Sequence, residues 1–394
     1  MKIALTICEY NPFHNGHQYS LNTIKKQLNP DLTCVIMSGN FTERGEVAIL
    51  NKYKRATHAV LAGADVVFEL PTVFATAPAE IFAKGAVKLL GSLSGEKTLC
   101  FGVESGNKSG LIATATALSS ESKQLKKLIK EELEKGNSLA RARQNALTKL
   151  NIPNVDLAFT ETPNNILALE YTKAIIEGKF DIDVLPIIRQ GAGYKEGLVD
   201  SDSKQNASAM AIRNAVNSGN LKSIKNHVPE FVFSDLPKKL PNASALTLYA
   251  LNAITKKQLK KVLDCTEGLE NRIKAFLKDS LTLSDLIDKL STKRYTTTRL
   301  QRICTSALLN IEESLVRDCL KNDLYLKVLA IDKNALNSLS QIKGNLPFIM
   351  RKSDVKNISG IANKCFEKDV FANDVYNVIV GEKSNEYYTK IIEK

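Results

Sequence analysis

Five near-continuous apolar runs of strand length lie in the first part of the chain, at residues 3–7, 32–37, 66–70, 99–103 and 184–188. Between the early runs lie stretches with helical spacing of apolar residues, at 16–28, 52–63 and 79–90. Unbroken apolar strands that alternate with helices are typical of a parallel sheet covered on both faces. The pattern therefore predicts a doubly wound α/β domain.

The remaining pattern predicts a mainly helical C-terminal region. Residues 108–150, dense in Lys and Glu, are expected to form a helical insertion in the first domain. A Pro-containing passage at 228–241 is typical of a linker, and strong helical spacing follows it. We therefore predict three units, an α/β domain over 1–227, a helical region over 242–323 and a small α+β cap over 324–394.

Composition favours a cytoplasmic globular protein. The chain is 44% hydrophobic and 24% charged, and no apolar run approaches the roughly 20 residues of a membrane span. Its start is too short for a signal peptide before the first motif begins. Seven cysteines are scattered without a C-x-x-C pair, which predicts reduced thiols rather than disulfides or a zinc site.

The net charge of +12 favours a polyanionic partner, of which nucleic acid is the commonest. On composition alone, a solvated lysine-rich surface explains the charge equally well. The position of the basic residues has to decide between these readings.

The segment EYNPFHNGH, residues 9–17, links the first strand to the first helix. Open α/β sheets bind ligands beyond the carboxyl ends of their strands, and Gly16 allows a phosphate to approach the helix N-terminus. His14 and His17 lie three residues apart, so both rings can lie on one side of the helix. Two imidazoles there can stabilise the charge that develops during displacement at a phosphorus atom.

A lone histidine is more often incidental than functional, but two of the four histidines occupy this one junction. We therefore assign His14 and His17 as catalytic. The other two, His58 on a predicted helix and His227 in a basic loop, are expected to be structural or surface residues.

The chain resembles the tRNA(Met) cytidine acetate ligase family, within the nucleotidyltransferases that carry an H-x-G-H motif. H-x-G-H alone is a weak signal, whereas the ordered set of motifs is strong: EYNPFHNGH, SGNFTERGE, KYKRATHAVLAGADVVFELP, FGVES, PNNILALEY, IIRQGAGY and KRYTTTRLQR. The resemblance extends to about residue 213, returns at 293–302 and fades toward the C-terminus. At position 43 family members often carry Gln, where this chain has Glu43.

The resemblance implies a HUP-like nucleotidyltransferase fold and an ATP site at Ile7, Cys8, Glu9, Tyr10, Asn11, Pro12, Phe13, His14, Asn15, Gly16, His17, Gln18, Tyr19, Ser20, Gly102, Asn164, Arg189 and Gln190. Asn164 and Asn165 open a predicted helix, so one is expected to contact ATP and the other to cap the helix. For Gly102, a purely geometric role carries nearly equal weight. A degenerate S-x-T-x-I-R element adds Ser208 and Arg213 as phosphate contacts.

The best basic cluster in the sequence is Lys293, Arg294, Tyr295, Arg299 and Arg302. Arginines beside an aromatic face suit an unpaired RNA loop, although a solvated helix start explains the same residues. We expect this cluster to bind tRNA and to lie outside the ATP crevice. No spacing predicts a protein metal cage, so any Mg²⁺ is expected to arrive with ATP.

The resemblance implies that the enzyme makes acetyl-adenylate from ATP and acetate. It then acetylates the wobble cytidine of elongator methionine tRNA to N4-acetylcytidine. The sequence implies no protein partner and does not identify the proton acceptor of the transfer step. The alternatives are an adenylyltransferase of coenzyme biosynthesis and a non-catalytic RNA-binding protein regulated by ATP.

Overall fold

The computed structural model describes residues 1–120, 122–137, 139–189 and 207–394 of the 394-residue chain. Its strands form one eight-stranded sheet. They are β1 Lys2–Cys8, β2 Leu32–Ser38, β3 Val66–Leu70, β4 Glu96–Val103, β5 Asp183–Ile188, β6 Leu326–Asp332, β7 Phe348–Ile349 and β8 Lys390–Ile392. The first five coincide with the five apolar runs, because most of the residues in these strands are buried, fewest of them in β5 at the edge of the sheet.

Helices account for most of the other described residues. Those before the predicted linker and within it are α1 Asn15–Leu28, α2 Lys52–Leu61, α3 Thr72–Ala75, α4 Ala79–Gly91, α5 Lys108–Ser120, α6 Lys123–Glu134, α7 Leu139–Leu150, α8 Pro163–Gly178, α9 Ala209–Asn217 and α10 Glu230–Phe233. Those beyond it are α11 Ser244–Ala253, α12 Lys256–Leu259, α13 Leu269–Phe276, α14 Leu283–Leu290, α15 Thr297–Leu308, α16 Glu313–Lys321, α17 Leu336–Leu339 and α18 Gly360–Val380. Short 3₁₀ helices lie at Leu157–Thr160, Leu221–His227, Leu277–Asp279, Lys333–Ala335 and Lys352–Asn357.

The strand order is β5-β4-β1-β2-β3-β6-β7, with β8 paired to β6. β1 lies between β2 and β4 and is parallel to both. The chain leaves β1 toward β2 and β3, and later reaches β4 and β5 on the opposite side. This reversal creates a crevice at the carboxyl end of β1, where open α/β sheets bind their ligands. The doubly wound parallel sheet predicted from the sequence is confirmed.

The strands of the C-terminal segment extend this same sheet. β6 pairs antiparallel with β3, and β7 and β8 each pair parallel with β6. β6 is buried along its whole length. The last segment therefore contains both strands and helices, as expected, but its strands are continuous with those of the N-terminal part. The division of the chain into three domains stays a prediction.

The helical region has a hydrophobic core of its own. Leucine, isoleucine and cysteine side chains from α11 through α15 pack together there, among them Leu251, Ile273, Leu286, Leu300 and Ile303. Residues 108–150 form α5, α6 and α7 in the described part of the chain, which agrees with the expected helical content. No helix among the described residues is long and apolar enough to cross a membrane.

Candidate active site

His14 and His17 form an interlocked pair at the N-terminus of α1. His14 is the N-cap of α1, and its Nδ1 accepts a hydrogen bond from the Gly16 amide at 3.1 Å. The His14 amide in turn donates to Nδ1 of His17 at 3.2 Å. The two rings are stacked with centroids 3.6 Å apart, so each histidine fixes the orientation of the other.

These contacts also determine where each ring carries its proton. A neutral imidazole with an accepting Nδ1 must hold its proton on Nε2, so both histidines present an Nε2–H donor. Burial lowers the pKa of His14 to about 3, and the Arg189 charge adds to the effect. Burial, with His14 and Arg189, also lowers the pKa of His17 well below its ordinary value. Both rings are therefore neutral hydrogen-bond donors at neutral pH.

The loop before the histidines is held by contacts from three directions. The ring of Tyr10 packs edge-on against His17, with centroids 4.8 Å apart. The side-chain carbonyl of Asn11 accepts from the Ile49 amide at 2.7 Å. Arg213 donates to the backbone carbonyl of Asn11 at 2.8 Å and pairs with Glu46 at 3.0 Å. Arg213 thus supports this loop, and its contact with phosphate stays a prediction.

Gly102 and Arg189 come together on the other side of β1, where β4 and β5 end. A Cβ at Gly102 would lie 3.1 Å from Cγ of Arg189, so the arginine side chain lies directly over this glycine. Arg189 is exposed and close enough to lower the pKa of both histidines. The structure therefore brings His14, His17, Gly102 and Arg189 to one crevice. Gln190 lies outside the described residues.

The expectation that an asparagine caps α8 is wrong. The helix already begins at Pro163, before both asparagines, and Thr162 is its N-cap, since proline suits the first helical position. Asn165 is buried, and its amide is occupied by Glu104, Ser105 and Ala158. Asn164 is half-buried and donates to the Glu104 carboxylate. Asn164 is the better placed of the two for a ligand, and its contact with ATP stays a prediction.

Ser208 is the N-cap of α9, and its contact with phosphate stays a prediction. Its hydroxyl accepts from the Ala211 amide at 3.2 Å, and the residue is buried. The hydroxyl oxygen is therefore engaged in holding the first turn of the helix that carries Arg213.

The predicted RNA cluster reaches the wall of the crevice at one end. Arg302, on α15, pairs with Glu43 at 3.0 Å. The Glu43 amide donates to the Glu9 carboxylate at 2.6 Å. A Cβ at Gly45 would meet the Arg302 amide at 2.7 Å, so α15 packs tightly against this loop. The expectation that the whole cluster lies away from the crevice is therefore wrong for Arg302.

The other members of the cluster point away from that wall. Arg299 pairs with Asp264 at 3.2 Å, and Arg294 pairs with Glu267 at 2.7 Å. The guanidinium group of Arg299 lies 5.7 Å from the centroid of the Tyr295 ring, and that of Arg294 lies 6.0 Å from it. Lys293 is exposed. Their role in RNA binding stays a prediction.

Two residues near the crevice were not identified from the sequence. Arg55 is fully buried, and its guanidinium donates to the carbonyls of Glu9, Ser38 and Gly39, which joins the ends of β1 and β2. His227 is buried with no partner for Nε2 among the described residues. It follows Asn226, whose carbonyl accepts from Asn15 at 2.8 Å. A single Arg within a helical pattern, or a single His in a basic loop, gives no signal of such burial.

Metal ligands are not clustered in the part of the chain that the structure describes. No group of three or more His, Cys, Asp or Glu side chains there is arranged to hold an ion.

Comparison with known proteins agrees with this geometry over almost the whole chain. A family model described as HIGH Nucleotidyl Transferase matches residues 1–390. A tRNA(Met) cytidine acetate ligase of Caldanaerobacter subterraneus subsp. tengcongensis is 37% identical over 384 residues, 94% of each chain. One of Thermosipho melanesiensis is 36% identical, covering 98% of this chain and 97% of its own.

Solved structures give the same match in three dimensions. The crystal structure of Thermotoga maritima TmcAL bound with alpha-thio ATP superposes with a TM-score of 0.90, at 27% identity and with both chains fully covered. The apo structure of the same protein gives the same TM-score.

Proposed function

The chain belongs to the tRNA(Met) cytidine acetate ligase family, within the HIGH nucleotidyl transferases, and from this premise we propose how its residues divide the reaction. It is an ATP-dependent ligase that joins acetate to a cytidine of tRNA. In the first step, the acetate carboxylate attacks the α-phosphorus of ATP, forming acetyl-adenylate and releasing pyrophosphate. In the second, the cytidine amine takes the acetyl group and AMP leaves.

The interlocked pair of neutral histidines is the observation that carries this assignment. Their Nε2–H donors lie at the N-terminus of α1 and at the topological switch point of the sheet. During attack at phosphorus, negative charge grows on the phosphate oxygens, and fixed donors stabilise it more than they stabilise the ground state. His14 and His17 would act at this point. Because both are neutral, they hydrogen-bond the phosphate without giving up a proton.

We assign the nucleotide to the side of β1 on which β4 and β5 lie. Arg189 would hold the triphosphate there, because its planar guanidinium can bond two phosphate oxygens together. Gly102 would let the nucleoside lie close to the backbone. Mg²⁺ would enter with the triphosphate and be held by phosphate oxygens and water.

We place the tRNA on the opposite side of the crevice. There α15 contacts the loop after β2, and Lys293, Arg294, Tyr295 and Arg299 continue away from it along the helical region. The acceptor would be the wobble cytidine of elongator methionine tRNA, with N4-acetylcytidine as product. An anticodon loop is single-stranded, so its bases can stack on an aromatic ring and its phosphates can pair with arginine.

ATP–pyrophosphate exchange tests this assignment. The purified protein should exchange labelled pyrophosphate into ATP only when acetate is present. Labelled acetate should then enter elongator methionine tRNA, but not the same transcript with uridine at the wobble position. Exchange that needs a different acceptor in place of acetate would point to an adenylyltransferase, and no exchange with any acceptor would point to an RNA-binding protein.

A further inference from the structure

We propose that the carboxylate of Glu9 accepts the proton that the cytidine amine loses during acetyl transfer. The proposal rests on the ligase function above and assigns one more catalytic residue to it. It follows from comparing the carboxylates that lie at the carboxyl ends of the central strands or in the loops beyond them, namely Glu9, Glu43, Glu46, Glu69 and Glu104.

Four of these five carboxylates are already engaged within the protein. Glu43 pairs with Arg302 at 3.0 Å, and Glu46 pairs with Arg213 at 3.0 Å. Glu69 is buried between Lys52 and Lys327, at 2.6 and 3.0 Å. Glu104 accepts hydrogen bonds from Thr162, Asn164 and the Asn165 amide, so both of its oxygens are occupied. Each of these four carboxylates is therefore either paired with a cation or, in Glu104, hydrogen-bonded through both oxygens.

Glu9 differs from the other four. One oxygen, Oε1, accepts from the Glu43 amide at 2.6 Å, which fixes the direction of the carboxylate. Among the described residues, no cation forms a salt bridge with Glu9 and Oε2 accepts no hydrogen bond. Glu9 is half-buried and therefore accessible from the crevice. It is a fixed carboxylate with one oxygen available for a proton.

The position of Glu9 also suits the second step rather than the first. Glu9 follows β1 directly. Its carboxylate accepts from the Glu43 amide, and the Glu43 side chain pairs with Arg302 on α15, so two successive contacts connect Glu9 to that helix. The next residue, Tyr10, packs on His17. Glu9 therefore belongs to the same loop as the histidines that would contact the reacting phosphate. Glu9 therefore lies between the proposed nucleotide side of the crevice and the side from which the proposed RNA-binding helix approaches.

The chemistry of the transfer requires a base. The lone pair of the cytidine amine is delocalised into the ring, so the free amine is a weak nucleophile. As its nitrogen forms a bond to the acetyl carbon, the bond from that carbon to the phosphate oxygen breaks, and AMP leaves with the electron pair. The amine proton passes to Oε2 of Glu9 and then to water. Such positioned bases contribute about 10²–10⁴-fold to a rate.

The surroundings of Glu9 give it a suitable proton affinity. Burial raises its pKa, the Glu43 amide opposes this, the charges of Glu43 and Glu46 raise it further, and Arg213 lowers it, to about 7 in all. Arg55, Tyr171 and Cys8 are the other titratable groups that face it. Below pH 7 the carboxyl is protonated and cannot accept, whereas above pH 7 it can.

A single-turnover experiment separates transfer from activation. Acetyl-adenylate is formed on the enzyme and chased with methionine tRNA between pH 5.5 and 8.5. For the wild-type protein, transfer should speed up about tenfold per pH unit up to about pH 7 and then level off. Glu9→Gln keeps a carbonyl oxygen for the Glu43 amide but cannot take a proton, so its transfer should fall by about 10²–10³-fold and lose this pH dependence.

Glu46→Gln is the matched control. It removes a neighbouring charge that raises the pKa of Glu9 and releases Arg213, which lowers that pKa. In this variant the rate of acetyl transfer should still rise with pH, but the midpoint of the rise should move toward acid pH. A Glu9→Gln protein that transfers at the wild-type rate with the same rising limb would overturn the proposal. Failure of the wild-type protein to acetylate tRNA would overturn the ligase assignment instead.

Discussion

At the residue scale, each histidine of the pair uses one ring nitrogen to hold the loop, and the proposed mechanism uses the other. Nδ1 of each ring is bound to backbone, which leaves Nε2–H toward the crevice. Burial and the nearby Arg189 keep both rings neutral. In the mechanism that we propose, the transition-state charge is therefore met by two fixed dipoles, whose orientation does not have to change during the reaction.

Replacing His17 should remove one of these dipoles. His17→Ala should slow acetate-dependent exchange by roughly 10²–10³-fold, with a much smaller loss of ATP affinity, since the donor acts mainly on charge that develops during attack. Exchange kinetics and ATP titration measure the two effects. His58→Gln is the control, because buried His58 bonds to Asp235 through Nε2, a contact that glutamine can replace. Near-normal exchange in the His17 variant would contradict the mechanism.

The sequence predicted some of these residues and missed others for a physical reason. The spacing of His14 and His17 after an apolar strand was sufficient to identify them. Their tautomers, the burial of His227 and the free oxygen of Glu9 depend on which distant groups pack against them. Glu9 meets Glu43 only because the two loops are adjacent in space, across 34 positions of sequence.

At the scale of elements, α15 contacts two regions to which the sequence assigned separate functions, RNA binding and ATP binding. Its N-terminal end carries Arg299 beside Tyr295, and one turn further Arg302 pairs with Glu43. The hydroxyl of Thr305 donates to the Gly45 carbonyl at 2.6 Å. One helix thus carries a member of the predicted RNA cluster in its first turn and contacts the loop after β2 one turn further.

Lys293 and Arg294 should affect RNA binding alone. Replacing both with Ala removes two exposed cations, so the slope of log affinity for tRNA against log[salt] should become shallower by about two. Acetate-dependent exchange should stay close to the wild-type rate. An unchanged salt slope would show that the tRNA phosphates bind elsewhere.

Arg302→Ala should behave differently from that double variant. It leaves the carboxylate of Glu43 without its guanidinium partner, beside the amide that holds Glu9. The half-reaction rates should therefore change, in contrast to the Lys293 and Arg294 variant. Exchange and single-turnover transfer, measured side by side in both proteins, make the comparison. Equal exchange rates and equal transfer rates in the two would mean that the contact with Glu43 has no effect on the crevice.

Elements were predicted best where apolar residues follow one another without a break. β1 to β5 were found from such runs, because most of the residues in these strands are buried. The start of α8 was misplaced, because Pro163 and the two asparagines give competing signals and only the backbone path decides between them. β7 and β8 are two and three residues long, too short for any pattern to register.

At the scale of the whole molecule, a buried group of four charges joins the last segment to the nucleotide-binding sheet. Lys52 and Glu69 come from the first part of the chain, and Lys327 and Glu386 from the last. All four side chains are at most 3% exposed.

The order of the strands could not be predicted from the sequence, since no local feature of the sequence marks β6 as the partner of β3.

Lys327→Met should destabilise the fold strongly, because it leaves two buried carboxylates with one lysine. We expect a loss of about 3–5 kcal/mol in the free energy of unfolding, measured with urea at neutral pH. Lys327→Met combined with Glu386→Gln restores charge balance and should be more stable than the single variant. A single variant as stable as the wild-type protein would contradict this account.

The same group makes stability depend on pH. Burial opposes the charge of Glu69, but Lys327 and Lys52 outweigh it and hold the pKa of Glu69 below its ordinary value of 4.5. The folded state therefore binds fewer protons than the unfolded state near that pH. This contribution is present above about pH 4.5 and is lost as the pH falls further.

The antiparallel pairing of β6 with β3 has a consequence for how the protein is made. Some 255 residues separate the end of β3 from the start of β6, at Leu70 and Leu326. While the chain emerges from the ribosome, the edge of β3 stays unpaired until β6 follows, and an open apolar edge invites pairing with other nascent chains. Completion of the sheet is therefore a late event of synthesis, and the edge of β3 is open to such pairing until then.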